Sequence, residues 1–337
     1  MSDAFVSLRD LTLSYGDTVA VPDLNLDIRE GELIALLGPS GCGKTTTMRA
    51  IAGLLSPSGG RIEIDGRDVT RVAANKRGIG LVFQSYALFP HLNAFENVAF
   101  GLRLQKRPEA EIRSRTEAGM ATVGLSGFEA RKPAEMSGGQ QQRLALARSM
   151  VMEPKVLLLD EPLSNLDARL RLEMRNELQR VQKETGVTMV FVTHDQAEAL
   201  ALADRIVLMK DGEIEQLGTP AELYAAPATA FAADFMGFEN IFAARDGRLT
   251  SETGALPLGF EAPAPLLAWR PSGVQVGSGP HQGRVRASSF AGGHREYVLD
   301  SEIGAITADA PIEQAEIPIG GMVAFDLPHA TARALSQ

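Results

Sequence analysis

The chain has 337 residues, a formal net charge of −9 and one cysteine. An acidic balance argues against a nucleic-acid-binding protein, because such proteins carry a basic surface. A single cysteine excludes an intrachain disulfide and is typical of a reducing compartment.

The N-terminal sequence MSDAFVSLRD lacks the basic and apolar regions of a signal peptide. The longest apolar runs, such as Leu33–Leu37 and Val156–Leu159, are far shorter than the roughly 20 residues that span a bilayer. We therefore expect that, if the protein acts at a membrane, another chain spans it.

Up to about Phe235, short apolar runs alternate with helical patterns. The strands are predicted at Leu33–Leu37, Ile79–Phe83, Val156–Asp160, Thr188–Thr193 and Ile206–Met209, and antiparallel strands at Val6–Tyr15 and Arg61–Val69. The helices are predicted at Lys44–Leu54, Gln140–Met152, Asp167–Glu184 and Gln196–Ala203, and tight turns at Asp65-Gly66 and Asp211-Gly212. This alternation predicts an α/β fold with a mainly parallel core sheet.

From about Asn240 the pattern changes to short β-like pieces between Gly, Pro and Ser clusters. These pieces are Leu266–Trp269, Gly273–Val276, Arg284–Phe290, Glu296–Leu299 and Met322–Asp326. They predict a small all-β barrel or sandwich after the α/β domain.

The sequence GPSGCGKTT fits the phosphate-binding pattern G-x-x-x-x-G-K-[ST], and it lies between a predicted strand and a predicted helix, as that pattern requires. The predicted phosphate-binding residues are Gly38, Pro39, Ser40, Gly41, Cys42, Gly43, Lys44, Thr45 and Thr46. Lys44 would supply a charge to the phosphates and Thr45 a hydroxyl to Mg²⁺. We interpret Cys42 as a packing residue; the alternative for the whole loop is a helix cap without a ligand.

Asp160 and Glu161 end the apolar strand in VLLLDEP. Asp160 could support Mg²⁺ and Glu161 could polarise a water for attack on the γ-phosphate, whereas the alternative is a solvated strand end. His194 and Gln84 follow other strands, where sites of α/β proteins cluster. We predict catalytic roles for Glu161, His194 and Gln84, and a second role for Gln84 as a metal ligand. The alternatives are a structural histidine and a surface glutamine.

A second anion-binding turn is predicted at SGGQ, because Ser137, Gly138 and Gly139 precede a helix whose N-terminal N–H groups favour an anion. The alternative is a loop before an ordinary core helix. Tyr15, in LSYGD, could stack on adenine, although a partly buried structural tyrosine is the simpler interpretation.

These motifs together resemble the ATPase subunits of ATP-binding cassette (ABC) transporters. The resemblance covers about the first 235 residues and includes Tyr15, the phosphate loop, Gln84, Ser137–Gln140, Asp160 with Glu161, Ser164–Asp167 and His194. One departure is Met136, where the family usually has leucine; the similar volume predicts that function survives.

The resemblance implies an enzyme that hydrolyses ATP with Mg²⁺ as a homodimer. Ser137, Gly138, Gly139 and Gln140 of one chain would complete the phosphate site of the other, and Asp167 would lie near the dimer seam. It further implies two transmembrane permease subunits and, through them, a periplasmic substrate-binding protein, at the cytoplasmic face of the bacterial inner membrane. The aromatic segment Ser85–Leu102 is the expected permease contact.

The implied domains are an ABC ATPase domain over residues 1–238, with a helical subdomain at about 88–150, and an OB-type β domain over residues 239–337. That second domain resembles those of importers for polyamines, iron(III), phosphonates and sugars, with Trp269–Val276 carrying the likeness. Its expected role is dimer stabilisation or ligand sensing. Leu223–Phe242 favours polyamine as the cargo, with iron(III), phosphonate or sugar as alternatives.

Two other classes stay open. A P-loop kinase would transfer phosphate to an acceptor other than water, and it has no use for SGGQ or SNLD. An ABC ATPase that acts on DNA or ribosomes usually carries two cassettes or long insertions, whereas this sequence has one cassette.

Overall fold

The structure, a computed structural model, describes residues 4–335. The chain divides into two compact units between Pro220 and Ala221. Residues 221–238, for which the sequence predicts a place in the first domain, therefore pack with the second unit. The functional boundary at 238/239 stays a prediction. Among the described residues, no helix is both long enough and apolar enough to cross a bilayer.

The first unit contains two sheets and several helices. Its strands are β1 (Val6–Tyr15), β2 (Thr18–Ile28), β3 (Leu33–Leu37), β4 (Gly59–Ile64), β5 (Arg67–Asp68), β6 (Ile79–Val82), β7 (Val156–Asp160), β8 (Thr188–Thr193), β9 (Arg205–Lys210) and β10 (Glu213–Gly218). Its helices are α1 (Lys44–Ala52), α2 (Ala94–Leu104), α3 (Glu109–Thr122), α4 (Gly138–Met150), α5 (Ala168–Thr185) and α6 (Gln196–Leu202), and α7 (Pro220–Ala225) starts at the boundary.

The central sheet has the order β10-β9-β3-β8-β7-β6 and is parallel except for the β9–β10 hairpin. β3 is buried along its whole length, as is β8, which explains their unbroken apolar sequences. The second sheet, in the order β2-β1-β4-β5, is antiparallel. Helix α1 packs against strands of both sheets and joins them in one core. The predicted α/β fold is confirmed.

The turns that interrupt these strands follow from their sequences. Asp65 and Gly66 have φ of 52° and 67°, which is the pair of positive angles that the tight hairpin turn requires. Asp211 and Gly212 have φ of 50° and 87° and form the equivalent turn between β9 and β10. Helix α1 ends before Gly53, whose φ of 79° glycine adopts at the least cost.

Helices α2, α3 and α4 pack on one another within residues 94–150. Asn97 of α2 is fully buried and organises the preceding loop. Its carboxamide accepts a hydrogen bond from the amide of Phe89 at 2.8 Å and donates to the carbonyls of Phe89, Leu92 and Asn93. This set of bonds fixes the loop that leads from β6 into α2.

The second unit is built on two antiparallel sheets around one core. After α8 (Ala230–Phe235), its strands are β11 (Asn240–Arg245), β12 (Arg248–Thr250), β13 (Ala255–Pro257), β14 (Leu266–Trp269), β15 (Gln275–Phe290), β16 (His294–Ser301), β17 (Gly304–Pro311), β18 (Met322–Asp326) and β19 (Arg333–Leu335). The sheet orders are β13-β12-β11-β14-β19 and β17-β16-β15-β18. The predicted all-β architecture is confirmed, but the predicted strand at Gly273–Val276 is wrong at its start. A 3₁₀ turn at Pro271–Gly273 precedes β15, because proline fixes φ and donates no ladder hydrogen bond.

The two sheets of this unit are tied by a polar side chain in their core. Asn240 is 1% exposed. Its amide nitrogen donates to the carbonyl of Thr307 at 2.8 Å and to that of Trp269 at 3.4 Å, while its oxygen accepts from the amide of Thr307 at 2.9 Å. Asn240 and Trp269 belong to one sheet and Thr307 to the other. The Asn240 side chain therefore links the two sheets by hydrogen bonds.

Candidate active site

The predicted site residues of the first unit lie where parallel strands end. Gln84 follows β6, Asp160 and Glu161 end β7, His194 follows β8, and the loop Gly38–Thr46 follows β3. These four strands are neighbours in the sheet and pair in parallel, so their carboxyl ends meet at one edge. The fold thereby brings together side chains that are distant in the sequence.

The backbone of the phosphate loop has a positive φ at three glycines, Gly38, Gly41 and Gly43. Gly38 has φ of 149°, and a Cβ atom there would lie 2.3 Å from the carbonyl oxygen of Met209. Gly43 has φ of 97° and begins α1 with no side-chain cap, so no side chain competes for the amides of the first turn. An uncapped helix start after a glycine loop fits a phosphate group, because its N–H groups and dipole attract an anion.

Lys44 is 6% exposed and points back into the loop. Its ammonium donates to the carbonyl oxygens of Gly38 and Pro39, each at 2.7 Å. Backbone dipoles therefore hold a nearly buried full charge. A triphosphate oxygen offers this ammonium a stronger, charge-assisted hydrogen bond than a neutral carbonyl does. The position suits the predicted contact with phosphate.

Thr45 and Asp160 form the candidate metal position. The hydroxyl of Thr45 donates to Asp160 Oδ1 at 3.3 Å. Burial raises the pKa of Asp160, while the hydrogen bond from Thr45 and the charge of Arg49 oppose that shift. Within residues 4–335, no cluster of three or more His, Cys, Asp or Glu side chains is arranged for a metal ion. A hydroxyl and one carboxylate nevertheless suit Mg²⁺ held by a nucleotide, because Mg²⁺ keeps phosphate and water ligands.

Glu161 lies between the other two predicted catalytic side chains. Gln84 Nε2 donates to Glu161 Oε2 at 3.1 Å, and His194 Nδ1 lies 3.2 Å from Glu161 Oε1. The Glu161 backbone has φ of 43°, and its amide donates to the carbonyl of Val192 at 3.0 Å. The Glu161 side chain is 24% exposed, so water can reach it. Such an oriented, accessible carboxylate can polarise a water molecule.

Two further residues, for which the sequence predicts no individual role, contact this cluster. Gln84 Nε2 also donates to Ser164 Oγ at 3.2 Å, and Asn165 Nδ2 donates to the carbonyl of Gln84 at 2.9 Å. Both belong to SNLD, which follows Glu161 closely in the sequence. That motif was the available signal, but the sequence does not tell which of its residues faces Gln84.

The turn predicted to bind a second anion lies at the start of α4. Ser137 Oγ accepts from the amide of Gln140 at 3.4 Å, and Gln140 Oε1 accepts from the amide of Ser137 at 2.9 Å. Ser137 and Gly138 are exposed, whereas Gly139 is buried. Within the described part of the chain, no hydrogen bond or ion pair links Ser137–Gln140 to the phosphate loop or to Glu161. Among residues 4–335, the two turns predicted to bind an anion are therefore not joined by direct bonds.

The remaining predicted residues have local roles in the structure. Asp167 is exposed and caps α5, where its side chain accepts from the amide of Leu170 at 2.9 Å. Tyr15 ends β1 with 48% of its surface exposed. Cys42 is buried, and burial raises the pKa of its thiol, in accord with a packing residue rather than a reactive one. Pro39, Ser40 and Gly41 are exposed.

Comparisons with known proteins agree with this geometry. The sequence profile of the ABC transporter family matches residues 21–164. The Fe(3+) ions import ATP-binding protein FbpC of Rhizobium etli is 50% identical over 315 residues, which cover 89% of each chain. The spermidine/putrescine import ATP-binding protein PotA of Acidothermus cellulolyticus is 49% identical over 289 residues, covering 84% of this chain and 76% of that protein.

A solved structure extends the agreement to the fold. The dimeric ATP-binding cassette MJ0796, in a post-hydrolysis state bound to ADP and Pi, is 35% identical and superposes with a TM-score of 0.57. The match covers 64% of this chain and 98% of that one. Together with the site geometry and the relatives, it shows that the chain belongs to the ABC transporter family as an ATP-binding import subunit, an ATPase that uses Mg²⁺.

Proposed function

We propose that this subunit energises the import of iron(III) into a bacterial cell. The support comes from coverage rather than identity: the FbpC relative is matched over 89% of both chains, whereas the PotA relative is matched over 84% and 76%. Further FbpC proteins are matched over as much as 93% of both chains. The polyamine cargo that Leu223–Phe242 suggested is not favoured over iron, since that segment is a small part of the likeness.

The proposed chemistry rests on one observation, the position of Glu161 between Gln84 and His194 at 3.1 and 3.2 Å. Glu161 orients and deprotonates the attacking water. Lys44 and the loop amides bind the β- and γ-phosphates, and Tyr15 stacks on the adenine. Mg²⁺ supplies charge neutralisation when bound, and Thr45, Asp160 and Gln84 support it.

The proposed assembly is a homodimer in which each nucleotide is held by two chains. The exposed turn at Ser137 and Gly138 supports this arrangement, because an uncovered helix N-terminus is available to an anion on another surface. Gly139 and Gln140 complete that turn, and Asp167 lies near the seam. Closure around ATP would join the chains, and hydrolysis would release them.

The homodimer is proposed to dock on two transmembrane permease subunits at the cytoplasmic face of the inner membrane. Within the predicted contact Ser85–Leu102, Phe100 is 42% exposed, and Phe83 and Leu104, just outside it, are 39% and 76% exposed. Exposed apolar side chains of this kind suit a partner helix. A periplasmic substrate-binding protein would act on this chain only through the permeases. Nucleic acid has no proposed role, in keeping with the acidic charge.

The test is reconstitution of the full chain in liposomes with its cognate permease subunits and binding protein, followed by measurement of phosphate release. We expect the binding protein to stimulate hydrolysis when loaded with Fe³⁺ and not when incubated with spermidine. The same complex carrying Glu161→Gln controls for contaminating ATPases. Stimulation by spermidine alone would replace iron with polyamine as the cargo, and stimulation by neither would remove both.

A further inference from the structure

The segment that follows Gln84 contains two consecutive strained residues. Tyr86 and Ala87 have φ of 60° and 48°, and neither is glycine. For an L-residue with a Cβ atom, the population of this left-handed region is lower than that of the right-handed region by about tenfold or more. Tyr86 is 8% exposed, so its side chain is anchored in the core while its backbone is strained. Something in the surrounding structure must hold this conformation.

Arg148 is the group that contacts both strained residues. Its Nη2 donates to the carbonyl oxygen of Tyr86 at 2.8 Å, and its Nη1 donates to that of Ala87 at 2.7 Å. The guanidinium also lies over the ring of Phe89, with Cζ 5.5 Å from the centroid. A planar fork with two donors suits two adjacent carbonyls, and no other side chain type offers that geometry.

Arg148 lies on α4, the helix that begins at the exposed turn of Ser137. The next residue, Ser149, donates from its hydroxyl to the carbonyl of Leu81 in β6 at 3.1 Å. Helix α4 therefore holds both the strand that leads to Gln84 and the segment that follows it. Gln84 lies between these two attachments, with its side chain on Glu161.

We propose that Arg148 is a positioning residue that keeps Gln84 against Glu161 by holding Tyr86 and Ala87 in the left-handed region. Arg148 does not itself contact the reacting groups. Its effect on hydrolysis rests on the role proposed above for Glu161. Through Arg148, a movement of α4 at the Ser137 end changes the placement of Gln84 in the same chain.

The test is Arg148→Met in the full chain, because methionine has similar length and no donor. We expect kcat for ATP hydrolysis to fall by about tenfold while KM changes little, since the phosphate loop is untouched. Adding Ala87→Gly should then restore part of kcat, because glycine adopts a positive φ without strain. Ala87→Gly alone provides the reference background for that comparison.

The matched control is Arg115→Met. Arg115 also donates to a main-chain carbonyl, that of Val151 at 2.7 Å, but that carbonyl is outside the Gln84 segment. We expect this variant to lose thermal stability without a selective loss of kcat. If Arg115→Met and Arg148→Met lowered kcat equally, or if Ala87→Gly restored nothing, Arg148 would be only a structural residue.

Hydrogen exchange provides a readout that does not depend on hydrolysis. The amide of Tyr86 donates to the carbonyl of Phe83 at 2.8 Å, and Arg148→Met should speed its exchange. Unchanged exchange there would overturn the inference. A Glu161→Gln chain that still hydrolyses ATP would instead overturn the base assignment, so the two failures are distinguishable.

Discussion

Gln84 and Glu161 are joined across the ends of two neighbouring strands by a hydrogen bond of 3.1 Å from carboxamide to carboxylate. The same carboxamide nitrogen reaches Ser164 at 3.2 Å. One side chain thus links the end of β6 to the residue proposed to activate water. A displaced Gln84 would therefore lose its hydrogen bond to that carboxylate.

Replacement of Glu161 by glutamine should abolish most hydrolysis and spare ATP binding. The amide keeps the size of the side chain but cannot accept a proton, and loss of a general base costs about 10²–10⁴-fold in rate. Phosphate release and nucleotide binding on the same sample measure both effects. Analytical ultracentrifugation with ATP should show a persistent dimer. Glu173→Gln, in a surface ion pair, is the control, and hydrolysis near the wild-type rate would refute the base assignment.

Ser137→Arg should stop hydrolysis while the monomer still binds nucleotide. The arginine obstructs the exposed helix start and removes the cap, which costs about 1 kcal/mol of stability. Asn93→Ala, which removes the cap of α2, reproduces that stability cost away from the turn. Titration of each monomer with a fluorescent ATP analogue measures its affinity for nucleotide, and we expect the two variants to have similar affinities. Weaker binding by the Ser137→Arg monomer alone would place Ser137 in the site of its own chain.

Asp160→Asn should raise the melting temperature at pH 7 in the absence of nucleotide. Burial raises the pKa of Asp160 above its unfolded value of about 3.9, so the unfolded chain releases this proton at lower pH than the folded chain does. Ionisation of Asp160 therefore lowers the free energy of unfolding as pH rises. The increase in melting temperature that Asp160→Asn gives should shrink towards pH 4. With Mg²⁺ and ATP present, Asp160→Asn should instead have a lower melting temperature than the wild type.

Asp68→Asn tests a carboxyl group whose pKa is shifted in the opposite direction from that of Asp160. A hydrogen bond from Thr70 lowers the pKa of Asp68, so its ionised form stabilises the fold above the unfolded pKa. This substitution should lower the melting temperature at pH 7, and the difference should also close in acid. Parallel behaviour of both variants would contradict the assignment for Asp160.

Asn240→Ala should destabilise the second unit by about 3 kcal/mol, because it removes the hydrogen bonds to the partly buried main-chain amide and carbonyl of Thr307. Differential scanning calorimetry should show one transition moved to lower temperature. Thr250→Ala removes a single hydrogen bond, to Ala243, and should cost about 1 kcal/mol. Equal shifts for both variants would show that Asn240 does not link the sheets.

The sequence predicts the buried parallel strands accurately. β3, β7 and β8 begin and end at the predicted residues, because strands covered on both faces are continuous apolar runs. The apolar pattern of the sequence does not predict helix α3 (Glu109–Thr122). Only Ile112, Thr116 and Met120 of its residues are buried, which is too little apolar surface for a periodic pattern.

The second unit was harder to predict for the same reason. In β17 the inward positions are Ile306, Ala308 and Ala310, and alanine gives a weak alternation signal. In the site, residues at strand ends were predictable because parallel strands place them at one edge. The role of Arg148 is not predictable from the sequence, because its partners are main-chain carbonyls. Every residue has such a carbonyl, so no residue type indicates where Arg148 binds.

Trp269 is the sole tryptophan of the chain, and it is fully buried in the second unit, where its Nε1 donates to the carbonyl of Pro328 at 2.9 Å. Selective excitation of the indole therefore monitors that unit without labelling. Its emission should move to longer wavelength only when the β unit opens, whereas far-ultraviolet ellipticity is dominated by helices of the ATPase unit. Together, the two spectra resolve the order in which the units unfold.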